Sequence, residues 1–146
     1  MKLLFQKLKE QAFLPQRATK QSAGADLCAC LDAPVVIAPN ETVMIPLGLC
    51  CQPSECDCAM LVFPRSGLAS KYGITLANAV GVVDADYRGE WFVPLHNISQ
   101  QTFTVTHGMR IAQLVVMPVL FPEIMEVMQV DDTERGKNGF GSSGLS

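Results

Sequence analysis

Charge is scarce in this chain: Asp, Glu, Lys and Arg make up only 17% of its 146 residues. With 49% apolar residues beside so little charge, the composition excludes intrinsic disorder. The length excludes a second folded module and leaves room for one hydrophobic core. Basic residues number 11 against 14 acidic ones, and a net charge of −3 excludes a broadly basic surface for coating nucleic acid. Any anionic ligand must therefore meet a local cluster of cations. Long hydrophobic runs are missing as well. The longest, Leu114 to Phe121, is broken by Pro118 and is too short to cross a bilayer. Met1-Lys2 is followed only by Leu3-Leu4-Phe5 before Gln6 and Lys7 intervene, short of a secretory apolar region, so a cytoplasmic location is expected. No nucleic-acid or membrane partner is expected.

The two histidines, His96 and His107, follow no metal-ligand spacing, and the cysteines form no Cys-x2-Cys pair that would favour zinc. The six cysteines stand as Cys28-x-Cys30, Cys50-Cys51 and Cys56-x-Cys58. On a strand, residues i and i+2 lie roughly 6.5–7 Å apart with parallel side chains, the wrong orientation for an S–S bond. Free thiols in a reducing compartment are expected.

What the chain does have is punctuation. Eleven glycines and nine prolines interrupt any helical pattern, while short β-rich runs recur between them, which predicts an all-β protein. Thr102-Phe103-Thr104-Val105-Thr106 alternates strictly, as a half-buried strand should. Strands are predicted over Lys2–Leu8, Thr42–Ile45, Cys58–Phe63, Gly73–Leu76, Glu90–His96, Thr102–Thr106, Arg110–Val119 and Ile124–Val130. One short helix is predicted over Ser66–Lys71, capped by the Ser66 hydroxyl and ended by Gly73. A β domain over 1–133 would then be followed by a flexible Gly/Ser-rich tail over 134–146. There is no internal repeat and no heptad pattern.

Five segments carry chemical potential. Ala23-Gly24-Ala25-Asp26-Leu27 leads a carboxylate into a strand, where Asp ordinarily sits as a solvated turn residue. Pro64-Arg65-Ser66-Gly67-Leu68-Ala69 gathers a guanidinium, a hydroxyl and unpaired N–H groups, and reads equally as a helix cap or a phosphate seat. The densest polar stretch, Asn78 to Trp91, implies a strand–turn–strand hairpin in which Asp86 and Arg88 read as water-facing turn residues. Asp84 follows Gly81-Val82-Val83 and is placed to emerge at a pocket rim, where an ionised carboxylate can take a proton from water. In Gly108 to Val116, Arg110 and Gln113 interrupt an apolar strand, so Arg110 needs an anionic partner, whether ligand or surface carboxylate. In the tail, Arg135 and a lone Phe140 among glycines offer a cation for phosphate and an aromatic face for a base.

These five segments, in this order, resemble the dUTP diphosphatase (dUTPase) family in its homotrimeric all-β form. The motifs span 23–30, 64–69, 78–91, 108–116 and 134–144. The resemblance implies a jelly-roll-like β-barrel with one short helix, and three chains forming three shared sites. It implies hydrolysis of dUTP to dUMP and pyrophosphate, with Mg²⁺ on the triphosphate, which limits uracil incorporation into DNA and supplies dUMP for thymidylate synthesis. By the family's pattern Asp84 is the base for water attacking the α-phosphorus. Asn78, with the main chain around Val82 and Val83, reads the uracil edge, and Tyr87 packs beneath the deoxyribose. Arg65, Ser66, Gly67, Gln113 and Arg135 hold the phosphates, and Phe140 stacks on uracil. Asp26 reaches the metal through water, with Arg110 as a structural or phosphate-adjacent cation near it. The tail is implied to close over the site. It departs from the family's usual pattern at Asn138, where Gly is common, and at Ser143, where Thr is.

Two other readings compete. A dCTP deaminase on the same fold would release ammonia, but that family's chains run longer and place a glutamate in the hairpin. A non-catalytic nucleotide-sensing trimer would bind without turnover.

Overall fold

The structure, a computed structural model, describes residues 1–137 and Gly139. Frequent Gly and Pro keep its strands short. In chain order they are β1 (Leu3–Lys7), β2 (Ala25–Cys28), β3 (Val35–Ile37), β4 (Thr42–Pro46), β5 (Leu49–Pro53), β6 (Cys58–Pro64), then the helix α1 (Ser66–Tyr72), β7 (Ile74–Leu76), β8 (Gly81–Val83), β9 (Phe92–Asn97), β10 (Phe103–Val105) and β11 (Arg110–Pro118). Every ladder is antiparallel. One sheet runs β2–β11–β6–β8 and another β4–β9–β7, with β1–β5 and β3–β10 as two-stranded ribbons.

The sheets bury one face each against a common core. On β9, Val93 and Leu95 point inward while Phe92 is exposed, the period of two that a one-sided strand requires. Ile45, Leu27, Met60, Leu49 and Val105 from five other strands join the same cluster. Each such fully buried side chain contributes about 1.5–3 kcal/mol of transfer free energy. The result is the expected jelly-roll-like barrel. Asn97 is the one buried polar residue among those described, and it is fully bonded: its Nδ2 donates to the Ile37 and Gln101 carbonyls (3.0 and 2.7 Å), and its Oδ1 accepts from Ser99 N–H (2.9 Å) and Ser99 Oγ (2.7 Å).

Several expectations are corrected. Ile124–Val130 forms no strand, although its composition suits one, because it finds no ladder partner among the described residues, and all seven of its residues are exposed. The helix sits where predicted, but its N-cap is Arg65, in an extended conformation, and no side-chain hydrogen bond caps it. Ser66 is the first helical residue, and its carbonyl accepts the Ser70 hydroxyl at 2.8 Å. Gly73 ends the helix at φ 65°, donating its N–H to the Ala69 carbonyl, a left-handed cap that glycine adopts without strain. The expected hairpin around Asn78–Trp91 is no paired hairpin: β7 pairs with β9, whereas β8 pairs with β6 in the other sheet. Strands β3 and β5 were not anticipated. The first has three residues, and the second, Leu-Cys-Cys-Gln-Pro, lacks the β-branched pattern that marks a strand. All six cysteines are free thiols.

Candidate active site

The order β2–β11–β6 sets a row of polar groups across one sheet. Asp26 on β2 lies opposite Gln113 on β11, which lies opposite Phe63 near the end of β6. Beyond that end, Arg65 turns back so that its Nε donates to Asp26 Oδ1 at 2.9 Å, while Arg110 Nη1 donates to Asp26 Oδ2 at 3.1 Å. The carboxylate is only 17% exposed and the Arg110 side chain 55%. Two guanidiniums on one carboxylate leave a net positive group facing solvent, the local cation cluster that an acidic chain needs to bind an anion. Arg65 Nη1 also donates to the Arg110 carbonyl at 3.4 Å.

Gln113 Nε2 donates to the Pro64 carbonyl at 3.0 Å, holding the end of β6 against β11. A Cβ on Gly24 would collide with the Gln113 amide oxygen, so that side chain would have to turn aside to admit one. Gly67 is different: a Cβ there meets nothing within 4 Å, so no packing among the described residues calls for glycine. Ser66 and Gly67 are both exposed. Cys28 sits beside this cluster, where burial pushes its thiol pKa up and Asp26 adds to the rise, with Arg110 and Arg65 opposing.

A second group gathers at β8. Gly81, Val82 and Val83 pair with Val62, Leu61 and Met60. The preceding turn carries Ala79 at φ 60°, and the Val80 N–H donates to the Asn78 carbonyl at 2.6 Å. The Asn78 amide lies 3.4 Å from where a Cβ on Gly81 would stand, so it folds back against the strand. Asp84 is exposed and lines a groove of about 500 Å³ with Val82, Ala85, Asp86, Cys56, Cys58 and Phe121. Val83 and Tyr87 line a neighbouring cavity of about 210 Å³. The Tyr87 N–H donates to the Asp84 carbonyl (3.1 Å) and its hydroxyl to the Glu90 carbonyl (3.2 Å).

The strand β6 separates the two groups. Val83 faces Met60 at one end and Arg65 follows the other end, five residues on, which is roughly 17 Å along a strand. One chain therefore brings Arg65, Asp26, Arg110 and Gln113 together, and Asn78, Val82, Val83, Asp84 and Tyr87 together, but does not join the sets. Arg135 is exposed next to a turn in which the Gly136 N–H donates to the Thr133 carbonyl at 3.0 Å. Phe140, with Asn138 and Ser143, lies outside the described residues.

Among the described residues no three His, Cys, Asp or Glu side chains converge on a point that could hold a metal ion. Asp26, with a guanidinium on each oxygen, suits contact through water with a magnesium ion that other ligands carry, and does not suit inner coordination. Sequence reasoning assigns no role to Glu90 and gives Arg88 only a water-facing place in the turn. Arg88 is exposed as expected of a turn residue, yet its Nη1 donates to the Ala85 and Tyr87 carbonyls (2.7 and 3.1 Å). Glu90 Oε1 accepts the Gly48 N–H at 3.1 Å. No sequence signal marks either contact.

The family model for dUTPase matches residues 10–144. A deoxyuridine 5'-triphosphate nucleotidohydrolase of Tolumonas auensis is 47% identical over 144 residues, 99% of this chain and 95% of the relative. One from Desulfitobacterium hafniense is 50% identical over 133 residues, 91% of this chain and 88% of the relative. Among solved structures, a mutant dUTPase of Staphylococcus bacteriophage 80alpha with dUpNHpp superposes with a TM-score of 0.87 at 27% identity, covering 99% of each chain. A mutant dUTPase from phage phi11 of S. aureus, described with a structural Mg(II) ion, shares the fold with a TM-score of 0.80 at 24% identity, covering 90% of this chain and 100% of that one.

Proposed function

The chain belongs to the dUTPase family, and from that premise we propose how its residues divide the work of hydrolysing dUTP to dUMP and pyrophosphate. The enzyme is a dUTP diphosphatase, which limits uracil incorporation into DNA and supplies dUMP for thymidylate synthesis. Asp84 accepts the proton of a water that attacks the α-phosphorus, and pyrophosphate leaves on the opposite side. Asn78 and the main chain at Val82 and Val83 read the uracil edge. Tyr87 lies beneath the deoxyribose and leaves no space for a 2′-hydroxyl. Arg65, Ser66, Gly67, Gln113 and Arg135 hold the phosphates. The open space above Gly67 supports a ligand seat there, since nothing among the described residues explains the missing side chain. Phe140 stacks on the base as residues 134–146 close over the site, with 1–133 as the barrel domain.

Magnesium bound to the triphosphate would offset the negative charge of the phosphates, and Asp26 would hold it through water. The protein's own share is positioning and charge stabilisation, because in-line phosphoryl chemistry needs little covalent help.

The observation that carries this reading is the separation of the cation cluster from Asp84 by the length of β6. A separation of roughly 17 Å along the strand supports a site in which Arg65 and Asp84 come from different copies, in the homotrimer that the family resemblance implies. The exposed apolar run in 120–130 supports assembly as well. Leu120 is 93% and Ile124 96% exposed, a greasy segment that a neighbouring copy would cover. No helix among the described residues is long and apolar enough to cross a membrane. A cytoplasmic location is proposed on the six free thiols, which suit a reducing compartment.

The test is pyrophosphate release from dUTP, dTTP, UTP and dCTP, each with Mg²⁺ and with chelator. Magnesium-dependent turnover of dUTP alone is expected. Ammonia from dCTP would indicate a deaminase, and binding of dUTP without turnover would indicate a sensor.

A further inference from the structure

The segment from Asp84 to Glu90 leaves β8 and returns to β9 without a ladder of its own. Its far end is well held. The Trp91 N–H donates to the Leu49 carbonyl (2.9 Å), the Leu47 N–H donates to the Trp91 carbonyl (3.0 Å), and the Gly48 N–H is bound by Glu90 Oε1 (3.1 Å). The end that bears Asp84 has far less. One backbone bond, Tyr87 N–H to the Asp84 carbonyl, closes the turn at 3.1 Å. The Tyr87 hydroxyl ties the middle of the segment to the Glu90 carbonyl (3.2 Å), and the Arg88 guanidinium constrains the Asp84 side, its Nη1 reaching back to the Ala85 carbonyl at 2.7 Å and the Tyr87 carbonyl at 3.1 Å. Arg88 also lines a shallow pocket with Phe5, Cys50, Cys51 and Gln52, which places it beside the β1–β5 ribbon.

We propose that Arg88 is a positioning residue for Asp84: by bridging the carbonyls of Ala85 and Tyr87 it fixes the turn from which the base projects. This rests on Asp84 being the base. Bonds from a charged donor are stronger than neutral ones, and two acceptors on one guanidinium nitrogen set the orientation of two peptide planes. Displacing a reacting group by about 1 Å costs up to about 10²-fold in rate. The effect falls on turnover, because Arg88 is assigned no contact with substrate.

The experiment compares full-length Arg88→Ala and Arg88→Lys with wild type and with Asp84→Asn. Arg88→Ala should lower kcat by up to about 10²-fold, leave KM for dUTP within about twofold, and keep the melting temperature. Arg88→Lys, which can reach one carbonyl, should fall between. Millimolar methylguanidinium should restore part of the kcat of Arg88→Ala and none of that of Asp84→Asn. Wild-type kcat in Arg88→Ala beside an inactive Asp84→Asn overturns the positioning role and spares the base. A loss of kcat that tracks a lower melting temperature and is not rescued also overturns it, because that is instability alone. An active Asp84→Asn overturns the base assignment and this inference with it.

Discussion

Arg65 and Asp26 stand 39 residues apart in the chain and meet through an Nε–Oδ1 ion pair of 2.9 Å. The pair exists because β2 and β6 both flank β11, which brings the start of one strand beside the end of the other. Arg110, on β11 itself, takes the second carboxylate oxygen. Asp26 thereby orders two cations at once, and neither guanidinium has to be gathered when a triphosphate arrives, so its ordering entropy is met during folding.

Replacing Asp84 by Asn removes the proton acceptor and leaves a side chain of nearly equal shape. Turnover should fall by at least about 10²-fold, with dUTP binding and melting temperature nearly unchanged. Steady-state kinetics of the purified variant decide it: near-wild-type kcat would show that the base lies elsewhere.

Arg65→Ala removes a phosphate cation and half of the partners of Asp26. The expected loss in kcat/KM is about 10²–10³-fold, with the melting temperature little changed because the pair is partly solvated and Arg110 remains. A variant with unaltered kcat/KM would take Arg65 out of the phosphate seat.

Two truncations separate closure from assembly. A chain ending at Thr133 should remain a trimer and lose most activity, since it lacks Arg135 and Phe140 but keeps the apolar 120–130 segment. A chain ending at Val119 should lose the trimer too. Light scattering reads the mass, and a trimer that survives the second truncation means that the exposed segment has another role.

Alkaline pH should weaken the fold through its thiols. Burial pushes the Cys51 thiol from an ordinary 9.0 up to about 11, and it also raises those of Cys28, Cys30 and Cys58. As pH rises, the unfolded chain ionises these groups first, so the native state is favoured in full below about pH 9 and progressively less toward pH 11. Melting temperatures should be level below pH 9 and fall above it, with a shallower fall in Cys51→Val. An equal slope in that variant would assign the alkaline loss to other groups.

The sequence made much of the fold legible because the signals were local. Thr102–Thr106 alternates and contains β10, and Pro64 and Gly73 bracket α1 as their backbone preferences require. The strandlike run Ile124–Val130 shows the boundary of that method: a strand is a property of two segments, and composition describes one of them. Arg88 shows the same for the site. Read by itself it is a charged turn residue, and only the path of the backbone reveals that its guanidinium closes on Ala85 and Tyr87.

The sequence by itself determined an all-β chain with one core, six unpaired thiols, a need for local cations and five polar segments whose order identifies the family. Those follow from composition, period and covalent backbone preference, which are properties of neighbours in the chain. Only the tertiary structure decided that Asp26 is held by two guanidiniums, that β7 and β8 belong to different sheets, and that Asp84 and Arg65 stand at opposite ends of β6. Strand order and register set those distances, and both arise from packing a whole core at once, which no window of sequence contains.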